Sequence, residues 1–472
     1  MKMRLRNINP RNFTEGGIHR NNMNINQSSK EFYIKNNSTS FSKMLYCASS
    51  GTMGEDDYRE DKKMLFDASR TALSNFSPIN KNSMTSNPIQ VLDFFSGAGG
   101  TSLGFAAINQ IIPIFRFLAG CDINQISATT YGKNFDTPVV CEDILKIADT
   151  PDSIQNFLKS INFDASKPTI LIGCAPCQGF SSHRKKHWND EDDTRNNLVV
   201  AFSRIVSEIR PAAFVMENVP EFLSNRYWRY FSTAREAFYN AGYIVKQNIY
   251  NAAEFGVPQE RFRSIVIGMK KDFLLPEGIY SSEEYRTVRN AIASLRPLSA
   301  GEADPIDALH KAVAHKRSTI DIFKQVPHDG GNLPEGVGPE CLSRVNGFSD
   351  VYGRLSWDKP AITITHYARN PASGRYTHPV QDRGLTARET ARLQSFPDGF
   401  QFEGKSDDIY RQIGEAVPPL LSCGVAVDIL IELLSTTPTP VQLASNVRGV
   451  ASPVSNSYSS VIAGIKNTRR RI

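Results

Sequence analysis

The sequence predicts an α/β fold: a doubly wound, mostly parallel sheet with a second, smaller and irregular domain. Three observations carry that reading. Across residues 89–270 short apolar runs alternate with amphipathic stretches long enough for crossover helices. The first run ends in a glycine-rich turn, and from about residue 271 helical periodicity fails while Pro and Gly become frequent. The chain has 472 residues, 40% hydrophobic, 10% aromatic and 22% charged. That is a globular composition with length for two or three domains, which excludes a disordered tether or a collagen-like rod.

Taken in order, residues 1–88 contain many Ser and 13 Asn and show no sustained period. They read as a flexible extension, with a short helix around 61–74 or an accessory domain as the alternatives. The first strand is Ile89-Gln90-Val91-Leu92-Asp93-Phe94-Phe95, running into Ser96-Gly97-Ala98-Gly99-Gly100 and a helix-like stretch. Further strands are expected at 115–120, 169–173, 213–216 and 264–268, with another strand end at Val139-Val140-Cys141. The sheet domain then spans 89–270 and the irregular domain 271–384. Residues 385–435 carry helices that return to the sheet, and 436–472 form a loose basic tail.

Charge is placed unevenly. Residues 1–88 hold 13 Lys/Arg against 8 Asp/Glu and 436–472 hold 5 Lys/Arg with no acid, which leaves −4 of the total +6 for residues 89–435. Net charge therefore hints at a polyanionic partner without proving one. No apolar run reaches the ~18 residues of a membrane span, Ile111-Ile112-Pro113-Ile114-Phe115 breaking at Arg116. The basic start Met1-Lys2-Met3-Arg4-Leu5-Arg6 runs into Asn-rich sequence instead of the apolar core of a secretory signal. Seven scattered cysteines, an odd number, suit reduced thiols, and the expected location is the cytoplasm.

In a parallel sheet a nucleotide-like ligand lies at the carboxyl ends of the strands, where a glycine turn lets backbone N–H groups approach it. Asp93, Gly97, Gly99 and Gly100 sit at the first such end. Ser102 stands where a dinucleotide fingerprint needs a third glycine, which weakens a pyrophosphate reading, and a tight turn without ligand is the plain alternative. Asp122 ends the next strand, about 20 residues past the turn, where a carboxylate accepts from a ribose diol. Asp143 follows the third and suits an exocyclic amine. Acids at successive strand tips line one edge of a cleft.

The run 169–173 delivers Cys174-Ala175-Pro176-Cys177-Gln178. A CxxC fits redox chemistry or half a zinc site. A second CxxC is missing, and His183 and His187 lie close together on a polar loop, so thiol redox is the serious rival. What accompanies Cys177 decides against it. Glu217-Asn218-Val219-Pro220 stands at the end of the next strand, and Gln259-Glu260-Arg261-Phe262-Arg263 puts two arginines at alternate positions, expected on one face. A thiol, a carboxyl group and an arginine suit attack on an electron-poor heterocycle. A pyrimidine is inert at C5 until a nucleophile adds at C6, and a proton or hydrogen bond at N3 makes that addition feasible. The thiol must also be deprotonated, a task for which Arg184-Lys185-Lys186 is at hand.

These pieces, in this order, resemble the DNA (cytosine-5)-methyltransferases of bacterial modification systems, over roughly residues 91–434. The resemblance implies an S-adenosylmethionine-dependent, Rossmann-like methyltransferase fold with a target-recognition domain. The cofactor would meet Asp93, Phe95, Ser96, Gly97, Gly99, Gly100, Asp122, Ile123, Asp143, Ile144 and Pro176, together with Glu415 and Ala416 of the closing Gly414-Glu415-Ala416-Val417-Pro418. It makes Cys177 the covalent nucleophile and adds Glu217, Arg261 and Arg263 as catalytic groups, with Arg263 the contact to the flipped base; no metal is implied. Leu385-Thr386-Ala387-Arg388-Glu389 opens the helix supporting target recognition. The partners implied are double-stranded DNA, a cognate restriction endonuclease encoded nearby and no membrane, with the protein acting as a monomer.

Three positions depart from the family pattern: Glu415 replaces its usual Asn, Asp122 is shorter than its usual Glu, and the recognition segment is short. His315, Lys316, Arg317, Lys324 and Gln325, within 309–346, are the candidate readers of the target. Transfer-RNA methyltransferases of this fold, the closest alternative, tend to carry Cys-Phe-Thr, and no cysteine here is followed by Phe-Thr.

Overall fold

The computed structural model describes residues 55–78, 88–176, 197–225, 227–340 and 350–434. They divide into two compact units. One comprises residues up to Tyr250 with Phe262–Glu277 and the chain from Ser422, the other Asn251–Arg261 with Gly278–Leu421.

The first unit is built on seven strands: β1 (Ile89–Phe94), β2 (Phe115–Asp122), β3 (Val139–Cys141), β4 (Thr169–Gly173), β5 (Ala213–Asn218), β6 (Ile244–Asn251) and β7 (Phe262–Met269). Their order across the sheet is β3-β2-β1-β4-β5-β7-β6. Neighbours from β3 to β5 run parallel, and β7 runs antiparallel to β5. The expected strands are all present, and the sheet is mixed where β7 enters. β6 escaped expectation because Lys246, Gln247 and Asn248 interrupt its apolar alternation. The order reverses between β1 and β4, so the carboxyl ends of β1, β2, β4 and β5 open along one edge, where parallel sheets hold ligands.

Helices α2 (Gly100–Asn109), α3 (Gln125–Phe135), α4 (Ile144–Ile147), α5 (Pro151–Ser160), α6 (Asn197–Ile209) and α7 (Trp228–Asn240) supply the crossovers. Their starts follow local chemistry. Asn124 caps α3 by accepting from the N–H of Ile126 and Ser127, and Thr150 caps α5 ahead of Pro151. The core carries an aromatic chain in which Phe94 packs on Phe202, Phe202 on Phe214 and Phe214 on Phe238.

The N-terminal extension differs from expectation over its last part. A helix α1 (Glu55–Ser74) precedes the sheet, and Leu65, Phe66, Leu73 and Phe76 are buried. This is the short helix that the sequence offers around 61–74 as an alternative to a flexible extension, begun six residues earlier. Lys62 pairs at 2.7 Å with Asp428 of helix α12 (Pro419–Leu434), both side chains nearly inaccessible. α12 in turn lies so close to α2 that a Cβ on Gly104 would meet the Cys423 backbone N at 2.4 Å. The remainder of the extension, residues 1–54, and the tail 436–472 lie outside the described residues.

The second unit has little regular structure: short helices α8 (Val288–Ile292), α9 (Arg317–Gln325), α10 (Ala387–Leu393) and α11 (Ser406–Glu415), with isolated bridges. Arginines hold it together. Fully buried Arg354 donates to the carbonyls of Phe323, Val326, His378 and Gln381 and pairs with Asp382. Arg383 grips Glu389 with two bonds of 2.8 and 2.7 Å. The boundary also differs from expectation. Residues 385–421, expected to return to the sheet domain, group with the second unit, where Arg388 pairs with Asp307 and donates its N–H to Leu309 O, and Glu389 pairs with Arg383. Only the chain from Ser422 returns.

Candidate active site

Parallel pairing of β4 with β5 sets Gly173 opposite Met216, so the residues that follow each strand are neighbours. Asn218 fastens them, its Nδ2 donating to Ala175 O at 3.2 Å. Because β7 runs antiparallel to β5, its beginning meets the end of β5. Arg263 Nε there donates to Glu217 Oε1 at 2.8 Å, each side chain 12% exposed. Arg263 also donates to Phe262 O at 2.7 Å, and Ser264 Oγ bonds the carbonyls of Asn218 and Val219. The guanidinium and the carboxyl group are thus fixed beside a strand tip that leads through exposed Pro176 into Cys177. Cys177 and the following segment with Ser181, Ser182, His183, Arg184, Lys185, Lys186 and His187 lie outside the described residues.

Cys174, the other thiol of the CxxC, sits 3.2 Å from Thr101 Oγ1. Burial, and after it the charges of Glu217 and Asp93, pushes its pKa well above the ordinary thiol value. A redox pair needs its first cysteine acidified, so this environment opposes the oxidoreductase rival. Among the described residues no cluster of three His, Cys, Asp or Glu could hold a metal.

The glycine turn follows β1. Phe95, Gly97 and Gly99 all have positive φ. At Gly99 a Cβ would also meet the Phe135 ring at 2.4 Å, so glycine is required there on both counts. Asp93 is fully buried: Oδ2 accepts from Ser102 Oγ at 2.7 Å, and that hydroxyl contacts Tyr131 Oη at 2.8 Å. Oδ1 is buried with no hydrogen-bond partner, and burial pushes the carboxyl up to about 7. Ser96 N bonds Cys121 O and Gly99 N bonds Ser96 O, while Gly100 opens α2.

At the next tip Asp122 ties β2 to the turn, Oδ2 accepting from Gly97 N and Oδ1 from Asn124 N, both at 2.8 Å. Ile123 beside it is 73% exposed. Asp143 caps α4 through Oδ1, accepting from Leu145 N at 2.9 Å. The structure thus brings Asp93, Phe95, Ser96, Gly97, Gly99, Gly100, Asp122, Ile123 and Asp143 to adjacent strand tips. Ile144 differs: it is buried in the core, 4% exposed, and presents no surface to a ligand.

Arg261 also departs from expectation. β7 begins at Phe262, so Arg261 precedes the strand and does not share a face with Arg263 by strand alternation. It belongs to the second unit, is 2% exposed, and donates to the carbonyls of Ile364 (2.7 Å), Gly414 (3.0 Å) and Ala416 (3.1 Å). Gln259 and Gln394 extend that lattice, which fixes the turn at Gly414-Glu415-Ala416. Arg261 is therefore a framework residue. Glu415, ending α11, is exposed. His315 is not a free reader either, since its Nε2 accepts from Gly384 N and its ring packs edge-on to Phe323. Lys316 and Arg317 are exposed, and the part of the reader segment at 341–346 lies outside the described residues. Sequence reasoning missed the roles of Asn218, Ser264 and Thr101, although Asn218 adjoins Glu217 in the quoted motif.

A seven-stranded sheet of this order, with a glycine turn after its first strand and a Glu–Arg pair beside a cysteine-bearing strand tip, defines an α/β methyltransferase fold. Solved structures share it, two of them with TM-scores above 0.5. An E. coli prophage protein described as a DNA modification methyltransferase matches with TM-score 0.55 at 24% identity, covering 73% of this chain and 99% of that one. The Entamoeba histolytica methyltransferase EhMeth matches with TM-score 0.51 at 19% identity, covering 74% and 98%. Residues 89–430 match the C-5 cytosine-specific DNA methylase family model. The chain is 37% identical to the Type II methyltransferase M1.HphI of Haemophilus parahaemolyticus, over 72% of this chain and 86% of that protein. It is 33% identical to the Type II methylase M.HgiDII of Herpetosiphon aurantiacus, over 72% and 94%. The chain belongs to the C-5 cytosine-specific DNA methylase family.

Proposed function

We propose that the protein methylates C5 of a cytosine within a specific double-stranded DNA sequence, as the modification partner of a restriction endonuclease. The observation that carries this is the Glu217–Arg263 pair at 2.8 Å, held by Asn218 against the segment that leads into Cys177. The target base is extruded from the duplex, at a cost of a few kcal/mol offset by contacts in the pocket. Cys177 adds as thiolate to C6, Glu217 holds a proton at N3, and Arg263 hydrogen-bonds O2 as negative charge develops there. Carbon C5, made nucleophilic by that addition, would bond the methyl carbon of the bound donor, whose sulfur leaves with the C–S electron pair; loss of the C5 proton and departure of the Cys177 sulfur then restore the aromatic ring.

The residues at the strand tips fit S-adenosylmethionine. The positive-φ turn at Phe95, Gly97 and Gly99 lines one end, underlain by fully buried Asp93, which Ser102 Oγ holds. Ile123 offers an exposed apolar face for a purine, Asp122 keeps lone pairs for ribose hydroxyls, and Asp143 retains Oδ2 for the exocyclic amine. When bound, S-adenosylmethionine supplies an electrophilic methyl group. Pro176, Glu415 and Ala416 complete the expected contacts, and the protein is expected to act as a cytoplasmic monomer. Among the described residues no single helix is long and apolar enough to cross a membrane.

The test is transfer of labelled methyl groups from S-adenosylmethionine to unmethylated random-sequence duplex DNA, with RNA as comparison and base-resolution sequencing of the product. 5-Methylcytosine confined to one DNA motif is the expected result. Transfer to RNA alone, or to an exocyclic nitrogen, would overturn the proposal.

A further inference from the structure

The first cysteine of the CxxC has no part in the transfer chemistry, yet three elements of the site meet on it. Cys174 follows β4 directly, and its backbone N–H donates to Phe94 O, at the end of β1, at 3.2 Å. The pairing of Gly173 with Met216 brings the next residues, Cys174 and Glu217, abreast at the ends of β4 and β5. Its Sγ lies 3.2 Å from Thr101 Oγ1, and Thr101 is the second residue of α2, the helix that opens from the glycine turn. Thr101 is 7% exposed, and its own carbonyl accepts from Ser422 Oγ.

We propose that Cys174 is a positioning residue for the transfer step: its thiol, held by Thr101, fixes the glycine turn, where the methyl donor binds, at a set distance from Glu217, which holds the base at N3. The inference rests on the functional reading above and extends it to a pair of residues outside those assigned to cofactor or base. Sheet order supports it. β1 lies between β2 and β4, and the turn after β1 is tied towards β2 by Gly97 N on Asp122 Oδ2 and by Ser96 N on Cys121 O. Thr101 on Cys174 is the side-chain tie in the other direction, towards β4 and the Glu217 strand beyond it. Burial, and after it the charges of Glu217 and Asp93, keeps the thiol protonated, so it meets the hydroxyl as a neutral partner able both to donate and to accept. Transfer between two bound reactants is sensitive to such a tie, because a displacement of about 1 Å can cost about 10²-fold in rate.

The experiment measures two quantities: the single-turnover methyl-transfer rate on duplex DNA and the affinity for S-adenosylhomocysteine by calorimetry. The proteins are the full-length chain, Thr101→Val, Cys174→Ala, Cys174→Ser and the double variant Thr101→Val with Cys174→Ala. Rates are normalised to the active fraction titrated by covalent trapping on 5-fluorocytosine DNA. Thr101→Val and Cys174→Ala should each lower the rate about tenfold, with the affinity unchanged within about twofold. The double variant should fall no further than either single one, since all three lose the same contact. Cys174→Ser keeps a hydroxyl for Thr101 and should retain the rate within about threefold. A thiol that merely fills space would leave Thr101→Val at the unaltered rate and make Cys174→Ser no better than Cys174→Ala. Either of those results, or losses that multiply in the double variant, overturns this inference alone. Should Cys174→Ala not fold, Thr101→Val and Cys174→Ser decide between the same outcomes. Failure of the unaltered chain to methylate cytosine overturns the functional reading, and this inference with it.

Discussion

Arg263 Nε donates to Glu217 Oε1 at 2.8 Å because β7 runs antiparallel to β5 and starts where β5 ends. Arg263→Ala should therefore lower the single-turnover transfer rate by about 10²–10³, the usual loss when one charge-stabilising donor is removed. Affinity for S-adenosylhomocysteine should stay within about twofold, since the strand-tip residues assigned to the cofactor are untouched. Rapid-quench kinetics and calorimetric titration check the two halves of that expectation.

Arg261, two residues earlier, should behave differently. Its guanidinium satisfies three buried carbonyls, and hydrogen bonds from charged donors contribute about 1.5–3 kcal/mol each. Arg261→Ala should lower the melting temperature by many degrees, with the loss centred on the second unit. Thermal unfolding followed by limited proteolysis reads this. A melting temperature unchanged with activity abolished would restore Arg261 to the chemistry.

Asp93 makes stability fall as pH rises. Its carboxyl is raised from 3.8 to about 7 by burial, so between those values the folded protein holds a proton that the unfolded chain has released. Stability from this group is present below about pH 4, is lost up to about pH 7 and is level above, a change on the order of 4 kcal/mol. Asp93→Asn should flatten that slope and exceed the unaltered protein in stability above pH 7, in urea melts across pH. His378 in the second unit acts oppositely. Burial lowers it from 6.5 to about 4, so its contribution is present above 6.5 and lost as pH falls toward 4.

The Lys62–Asp428 pair is buried on both sides. Lys62→Met alone leaves Asp428 uncompensated and should cost about 3–5 kcal/mol, whereas Lys62→Met with Asp428→Leu should recover most of it. A double-mutant cycle by chemical denaturation measures the coupling, and a loss in the single variant below 1 kcal/mol would show that this ion pair does not hold α1 to the sheet unit.

Much of this was legible in the sequence because parallel strands buried on both faces read as unbroken apolar runs, as in Thr169-Ile170-Leu171-Ile172-Gly173, and because glycine turns mark their ends. Glu217 and Arg263 were legible as chemistry without a structural reason for their meeting, which lies in the antiparallel β7. Arg261 was misjudged because period-two spacing assumes a strand on both sides, and the strand starts one residue later. The second unit resisted reading because it is held by arginines on carbonyls, such as Arg354 on four of them, and such contacts leave no periodic trace.

The most direct test of the account is trapping on duplex DNA whose target cytosine carries fluorine at C5, in the presence of S-adenosylmethionine. The account predicts a denaturant-resistant protein–DNA adduct mapped to Cys177, and neither adduct nor methyl transfer with Cys177→Ser. Undiminished transfer by Cys177→Ser, or an adduct through Cys174, would contradict it.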